Sequence, residues 1–150
     1  MKIRLALIAS LMSSAVFAQN SDEEGIKSSV NQLFTGMKTG DTALLAGSFA
    51  PGAVLQTIRQ KKDGSVSVET EDLKAFVTSV GKPHPDVYDE QIEFGKILVD
   101  GNLASVWTPY KFYVGKNFSH CGVNSFQLVK IAGTWKIQYI IDTRRKTGCE

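Results

Sequence analysis

Residues 103–143 read LASVWTPYKFYV, GK, NFSHCGVNSFQLVKI, AG and TWKIQYIIDT, and this stretch decides the fold. Runs rich in β-branched and aromatic residues are parted by Gly115-Lys116 and Ala132-Gly133, pairs short enough to be hairpin turns. Strands joined so tightly pair antiparallel, which predicts strands over residues 103–114, 118–131 and 134–143. A further run over residues 88–99 enters through Asp100-Gly101-Asn102, so four strands form a meander.

Upstream, the spacing changes from two to between three and four. Ile26, Val30, Leu33, Phe34 and Met37 recur at helical intervals between Ser21, which has capping-box spacing to Glu24, and Gly40. Asp41 can cap a short second helix through Leu44, Leu45 and Phe49 that stops at Pro51-Gly52. Residues 53–59 and 65–69 flank Lys61-Lys62-Asp63-Gly64 and read as a hairpin. Thr70 can then cap a third helix over residues 71–80, and Pro83 and Pro85 mark a rigid crossover into the meander. The expected fold is therefore α+β, with about three helices packed on one face of a curved antiparallel sheet of about six strands.

The first 18 residues read differently. Lys2 and Arg4 precede an apolar stretch that ends in small residues at Val16 and Ala18, the pattern of a bacterial Sec-type signal peptide cleaved before Gln19. No cysteine follows the cleavage position, which argues against a lipid anchor. The expected organisation is a signal peptide over residues 1–18 and one domain over residues 19–150, periplasmic or secreted. Of the 17 Lys plus Arg and 15 Asp plus Glu, the signal carries Lys2 and Arg4, so the mature chain is neutral. A neutral domain offers no electrostatic track for nucleic acid, and no membrane association is expected after cleavage. In an oxidising compartment Cys121 and Cys149 invite one disulfide, with Gly148 easing the return of the tail; the other reading is a buried Cys121 and a free tail thiol.

The element order resembles the nuclear transport factor 2-like superfamily, the SnoaL-like or ketosteroid-isomerase-like cone. The last 65 or so residues are similar to a small bacterial family called "Putative lumazine-binding". That likeness runs through Ala104-Ser105-Val106-Trp107-Thr108-Pro109-Tyr110, Ser119-His120-Cys121-Gly122-Val123-Asn124, Gly133-Thr134-Trp135-Lys136-Ile137 and Ile141-Asp142-Thr143-Arg144-Arg145. The resemblance implies a cone enclosing one pocket, often in a dimer through the sheet face, on a scaffold that hosts enzymes and non-enzymes alike.

Two-residue turns fix the register by arithmetic: cross-strand partners sum to 231 in the first hairpin and 265 in the second. Trp107 then faces Asn124, and Asn124 faces Ile141, on the side that also carries His120 and Tyr139. This is the expected pocket face, with Trp107, His120, Asn124 and Tyr139 as ligand-binding residues. Tyr110, Asp142 and Arg144 fall on the opposite face or at strand ends, where Asp142 and Arg144 can form a surface ion pair. A single bulge would exchange the two lists.

His120 is the candidate general acid/base, although a histidine there can equally satisfy a backbone group. The leading reading is an exported binding protein for a small flat or apolar organic molecule. The alternative is an isomerase, dehydratase or cyclase using His120, with Asn124 or Tyr139 donating to an enolate-like oxygen; the apparent lack of a carboxylate on the pocket face weighs against it. Two histidines and two cysteines at unrelated positions make no metal pattern, and no cofactor fingerprint is present, so neither a metal nor a cofactor is expected.

Overall fold

The structure, a computed structural model, describes the backbone of residues 4–149 and the side chains of residues 21–149. The side chains of the expected signal segment, residues 1–18, lie outside that description. Helix α1 spans Arg4–Thr39, so Ser21 sits within it and does not start it. No glycine or proline occurs between residues 4 and 24 to stop a helix there.

Helices α2 (Thr42–Gly47) and α3 (Leu73–Val80) are capped by Asp41 and Asp72, whose carboxylates accept from the backbone N–H groups of Leu44 and Ala75. The cap of α3 is thus Asp72 and not Thr70, which remains in a strand. Aspartate is the stronger N-cap of the two, and its charge also suits the helix N-terminus. Phe49, expected in the second helix, opens strand β1.

Seven strands follow: β1 (Phe49–Gln60), β2 (Val66–Glu71), β3 (Tyr88–Ile92), β4 (Lys96–Asp100), β5 (Leu103–Val114), β6 (Asn117–Ile131) and β7 (Thr134–Arg145). They form one sheet in the order β2-β1-β7-β6-β5-β3, with β4 also paired to β5. All pairs are antiparallel except β1 with β7, which makes the sheet mixed. The expected strand over residues 88–99 is divided into β3 and β4 because of Pro109. Its carbonyl accepts from the Glu93 N–H at 2.9 Å, but it has no N–H to return, and the ladder resumes only at Gly95 N–H to Trp107 C=O.

The core lies between α1 and the inner sheet face. Ile26, Val30 and Leu33 from α1 meet Phe126, Leu128 and Ile137, all buried, and Phe34 meets Phe126 edge to face. Asp22 fastens the helix to the sheet by accepting from the Trp135 indole N–H and from Lys130.

Register is where the structure departs from the two-residue-turn arithmetic. The pairing sums to 231 only at Tyr113↔Phe118 and Val114↔Asn117; beyond that Ser119 is bulged and Phe112 pairs with His120. In the second hairpin Leu128↔Ile137 holds the expected register, then Gln138 is bulged and Gln127 pairs with Tyr139. Each extra residue turns the remainder of its strand pair over by one position. Thr108 and Asp142, not Trp107 and Ile141, therefore flank Asn124. The expected pocket face is corrected accordingly on β5 and on β7 beyond Gln138.

Cys121 and Cys149 form a disulfide with Cα atoms 5.8 Å apart, so the tail returns to the sheet as expected.

Candidate functional site

Between α1, α3 and the inner sheet face lies a cavity of about 270 Å³. Its walls are apolar, with Leu33 and Phe34 from α1, Phe76 from α3, Phe126 from β6, Tyr88 from β3 and Phe112 from β5. One end is polar, and there the bulged register brings together residues from five strands.

Tyr110, only 4% exposed, donates its hydroxyl hydrogen toward the Thr143 carbonyl at 2.9 Å, with Asp142 Oδ2 at 3.3 Å. Its ring fits because Gly122 lies beneath it. A Cβ at residue 122 would stand 2.8 Å from Tyr110 Cε1 and 1.8 Å from the Thr143 oxygen, so only glycine allows this close approach. Arg144 donates from Nε to Asp142 Oδ2 at 2.8 Å and from Nη2 to Thr57 Oγ1 at 3.2 Å. The Asp142–Arg144 pair expected on the surface instead has a carboxylate that is only 7% exposed, beside a partly exposed arginine. Asp142 Oδ1 is buried with no hydrogen-bond partner among the described residues.

Glu90 on β3 accepts from Asn124 Nδ2 at 2.7 Å. It keeps a partly accessible surface, but protein atoms ring it closely, and that enclosure governs its acidity. Burial, and then the neighbouring Asp142 charge, push its carboxyl up to about 7 against the pull of Asn124 and Arg144. Burial likewise raises the Tyr110 phenol, with Asp142 and Glu90 adding to it. His120 packs edge to face on Tyr110 and tilts over Phe112, with Nδ1 3.0 Å from Ser119 Oγ. Burial and then the Arg144 charge lower its pKa, so it is held neutral at neutral pH.

Of the residues expected from sequence, the structure gathers His120 and Asn124 at this cavity, together with Tyr110, Asp142 and Arg144 from the face assigned elsewhere. Trp107 is 51% exposed on the outer face, and Tyr139 there donates to Gln56 Oε1 at 2.7 Å; neither side chain reaches the polar end. The pocket also has the carboxylates it was expected to lack, Asp142 and Glu90. Glu90 was legible in the alternation of Tyr88, Glu90 and Ile92, which places one polar residue between two apolar ones on an inner strand face. Among the described residues no group of three or more His, Cys, Asp or Glu side chains is placed to hold a metal ion.

Helices on one face of a bent sheet, with an apolar cavity closed by polar residues from several strands, define a cone of the nuclear transport factor 2-like class. Solved structures agree. A nuclear transport factor 2-like protein with a cystatin-like fold from Novosphingobium aromaticivorans superposes with a TM-score of 0.69 at 9% identity, covering 99% of this chain and 94% of that one. A Mycobacterium tuberculosis protein of unknown function gives 0.65 at 18% identity, covering 89% and 77%. A nuclear transport factor 2-like protein of unknown function from Shewanella baltica gives 0.63 at 14%, covering 85% and 96%. The family model described as "Putative lumazine-binding" matches residues 21–139, and the chain belongs to that family. No curated protein matches the sequence.

Proposed function

We propose that the protein is an exported small-molecule-binding protein whose cone pocket holds a flat, largely apolar organic ligand. The observation that carries this reading is the cavity itself: aromatic walls and a single cluster of oriented polar groups at one end. The family description points the same way, toward a heterocyclic ligand. Export is supported by the Cys121–Cys149 disulfide, a bond typical of oxidising compartments, and by the signal-peptide pattern of residues 1–18. A homodimer through the outer sheet face is supported by Leu98, Leu103 and Trp107, large apolar side chains exposed on β4 and β5.

A second reading, an enzyme of isomerase, dehydratase or cyclase type, has one observation of its own. Neutral His120 shares the pocket with Glu90, whose acidity lies near neutrality, which supplies groups able to exchange a proton with a bound substrate.

A native mass spectrum of protein recovered from the exported fraction tests the leading reading. The expected species is a dimer of chains beginning at Gln19 with a small molecule bound. Ser79, exposed on α3 at the pocket rim, is the place for a plug, and Ser79→Trp should remove the bound mass while leaving the melting temperature nearly unchanged. A small molecule retained at full occupancy in Ser79→Trp would place binding outside the cone, and an intact Met1 in the mature protein would remove the export claim.

A further inference from the structure

The polar end of the pocket has a marked imbalance of hydrogen-bonding groups. Several of its donors are engaged within the protein: Arg144 Nε on Asp142 and Nη2 on Thr57, the Tyr110 hydroxyl on Thr143, and Asn124 Nδ2 on Glu90. Two carboxylate oxygens are left over. Asp142 Oδ1 is buried without a partner, and Glu90 has only one oxygen engaged among the described residues. A buried carboxylate oxygen left without a donor is costly, and it is relieved by any ligand that brings one.

Charge favours the same kind of ligand. Three carboxylate residues, Glu71, Glu90 and Asp142, line the cavity against one guanidinium, no lysine lines it, and His120 is held neutral. Arg144 is already the counter-ion of Asp142, so its charge is paired and the remaining carboxylates are left unneutralised. The aromatic faces of Phe34, Tyr88, Phe112 and Phe126 around the cavity suit a flat ring and also favour positive charge over negative.

We infer that the pocket selects an aromatic ligand that ends in a cationic N–H donor, an amidinium or protonated amino-heterocycle, held by the carboxylates of Asp142 and Glu90. The inference rests on the reading of the cone as a small-molecule site and adds the chemical class of its ligand. Paired N–H groups of an amidinium can reach two acceptors at once, and hydrogen bonds between ionised partners are the stronger kind.

Three probes on one ring frame test it: naphthalene-2-carboxamidine, naphthalene-2-carboxamide and naphthalene-2-carboxylate, titrated into the disulfide-bonded protein at pH 8. The amidine should bind about 30-fold more tightly than the carboxylate, with the neutral amide between them. Asp142→Asn should reduce that preference by about ten-fold, and Glu90→Gln should also reduce it; if one variant does not fold, the other and the wild-type ranking decide. Equal or tighter binding of the carboxylate, binding of the amide without the amidine, or a preference that survives in both folded variants overturns the inference and leaves the pocket reading in place. No binding of any probe up to about 1 mM overturns both.

Discussion

Cys149→Ser is expected to lower the stability of the oxidised protein by about 3 to 4 kcal/mol, equivalent to a fall of roughly 10 °C in melting temperature. The bond joins residues 28 apart, and closing a loop of that length removes much of the freedom of the unfolded chain. Cys121 is buried within β6, so the tether draws the tail from Lys146 onward against a strand that the core already fixes. Calorimetry of wild type and variant, each with and without reductant, checks it. The wild type should move to the variant's melting temperature on reduction, and the variant should not move. A wild type indifferent to reductant would mean that the tail contributes nothing to the fold.

Glu90→Gln should stabilise the protein at pH 8 by up to about 3 kcal/mol and have little effect at pH 5. Glu90 is pushed up to about 7 in the fold from an ordinary value of 4.5, so between those values the folded state binds more protons than the unfolded chain. Stability from this group is therefore full below about 4.5 and falls as pH rises through 7. Glutamine keeps the oxygen that accepts from Asn124 without ever acquiring the charge, and so removes the penalty only where Glu90 would be ionised. Urea unfolding of both proteins at pH 5 and pH 8 reads the difference directly. The same stability gap at the two pH values would show that Glu90 titrates as an ordinary surface carboxylate.

Most of the fold was legible because it depends on patterns that run over many residues. The helical stripe of Ile26, Val30 and Leu33 and the glycine-marked hairpins of the meander each repeat their signal several times. The pocket face was not legible in the same way, because it turns on the single residues Ser119 and Gln138, polar residues that fit the ordinary alternation of a strand. A clue lay in composition. On β5 the set Ala104, Val106, Thr108, Tyr110 and Phe112 carries no charge, whereas the set with Trp107 also carries Ser105 and Lys111, and weighing the full sets would have favoured Tyr110 over Trp107 as the inward aromatic. His120 and Asn124 line the cavity, as the register arithmetic expected of their face, because both belong to β6, the central strand about which its neighbours shifted.

The broken rim formed by β3 and β4 bears on how copies of this protein can meet. A sheet edge with unpaired N–H and C=O groups can template another strand and grow by stacking. Here that edge consists of two five-residue strands set apart by Glu93-Phe94-Gly95, with Asp89, Glu93 and Lys96 along them. At the other margin β2 is six residues long and ends in Glu69-Thr70-Glu71. Short, kinked and charged margins resist edge-to-edge zippering, so open-ended polymerisation by strand addition is disfavoured at both sides of the sheet. The homodimer proposed through the outer face needs neither margin, and a two-fold pairing of that kind closes on itself and stops at two.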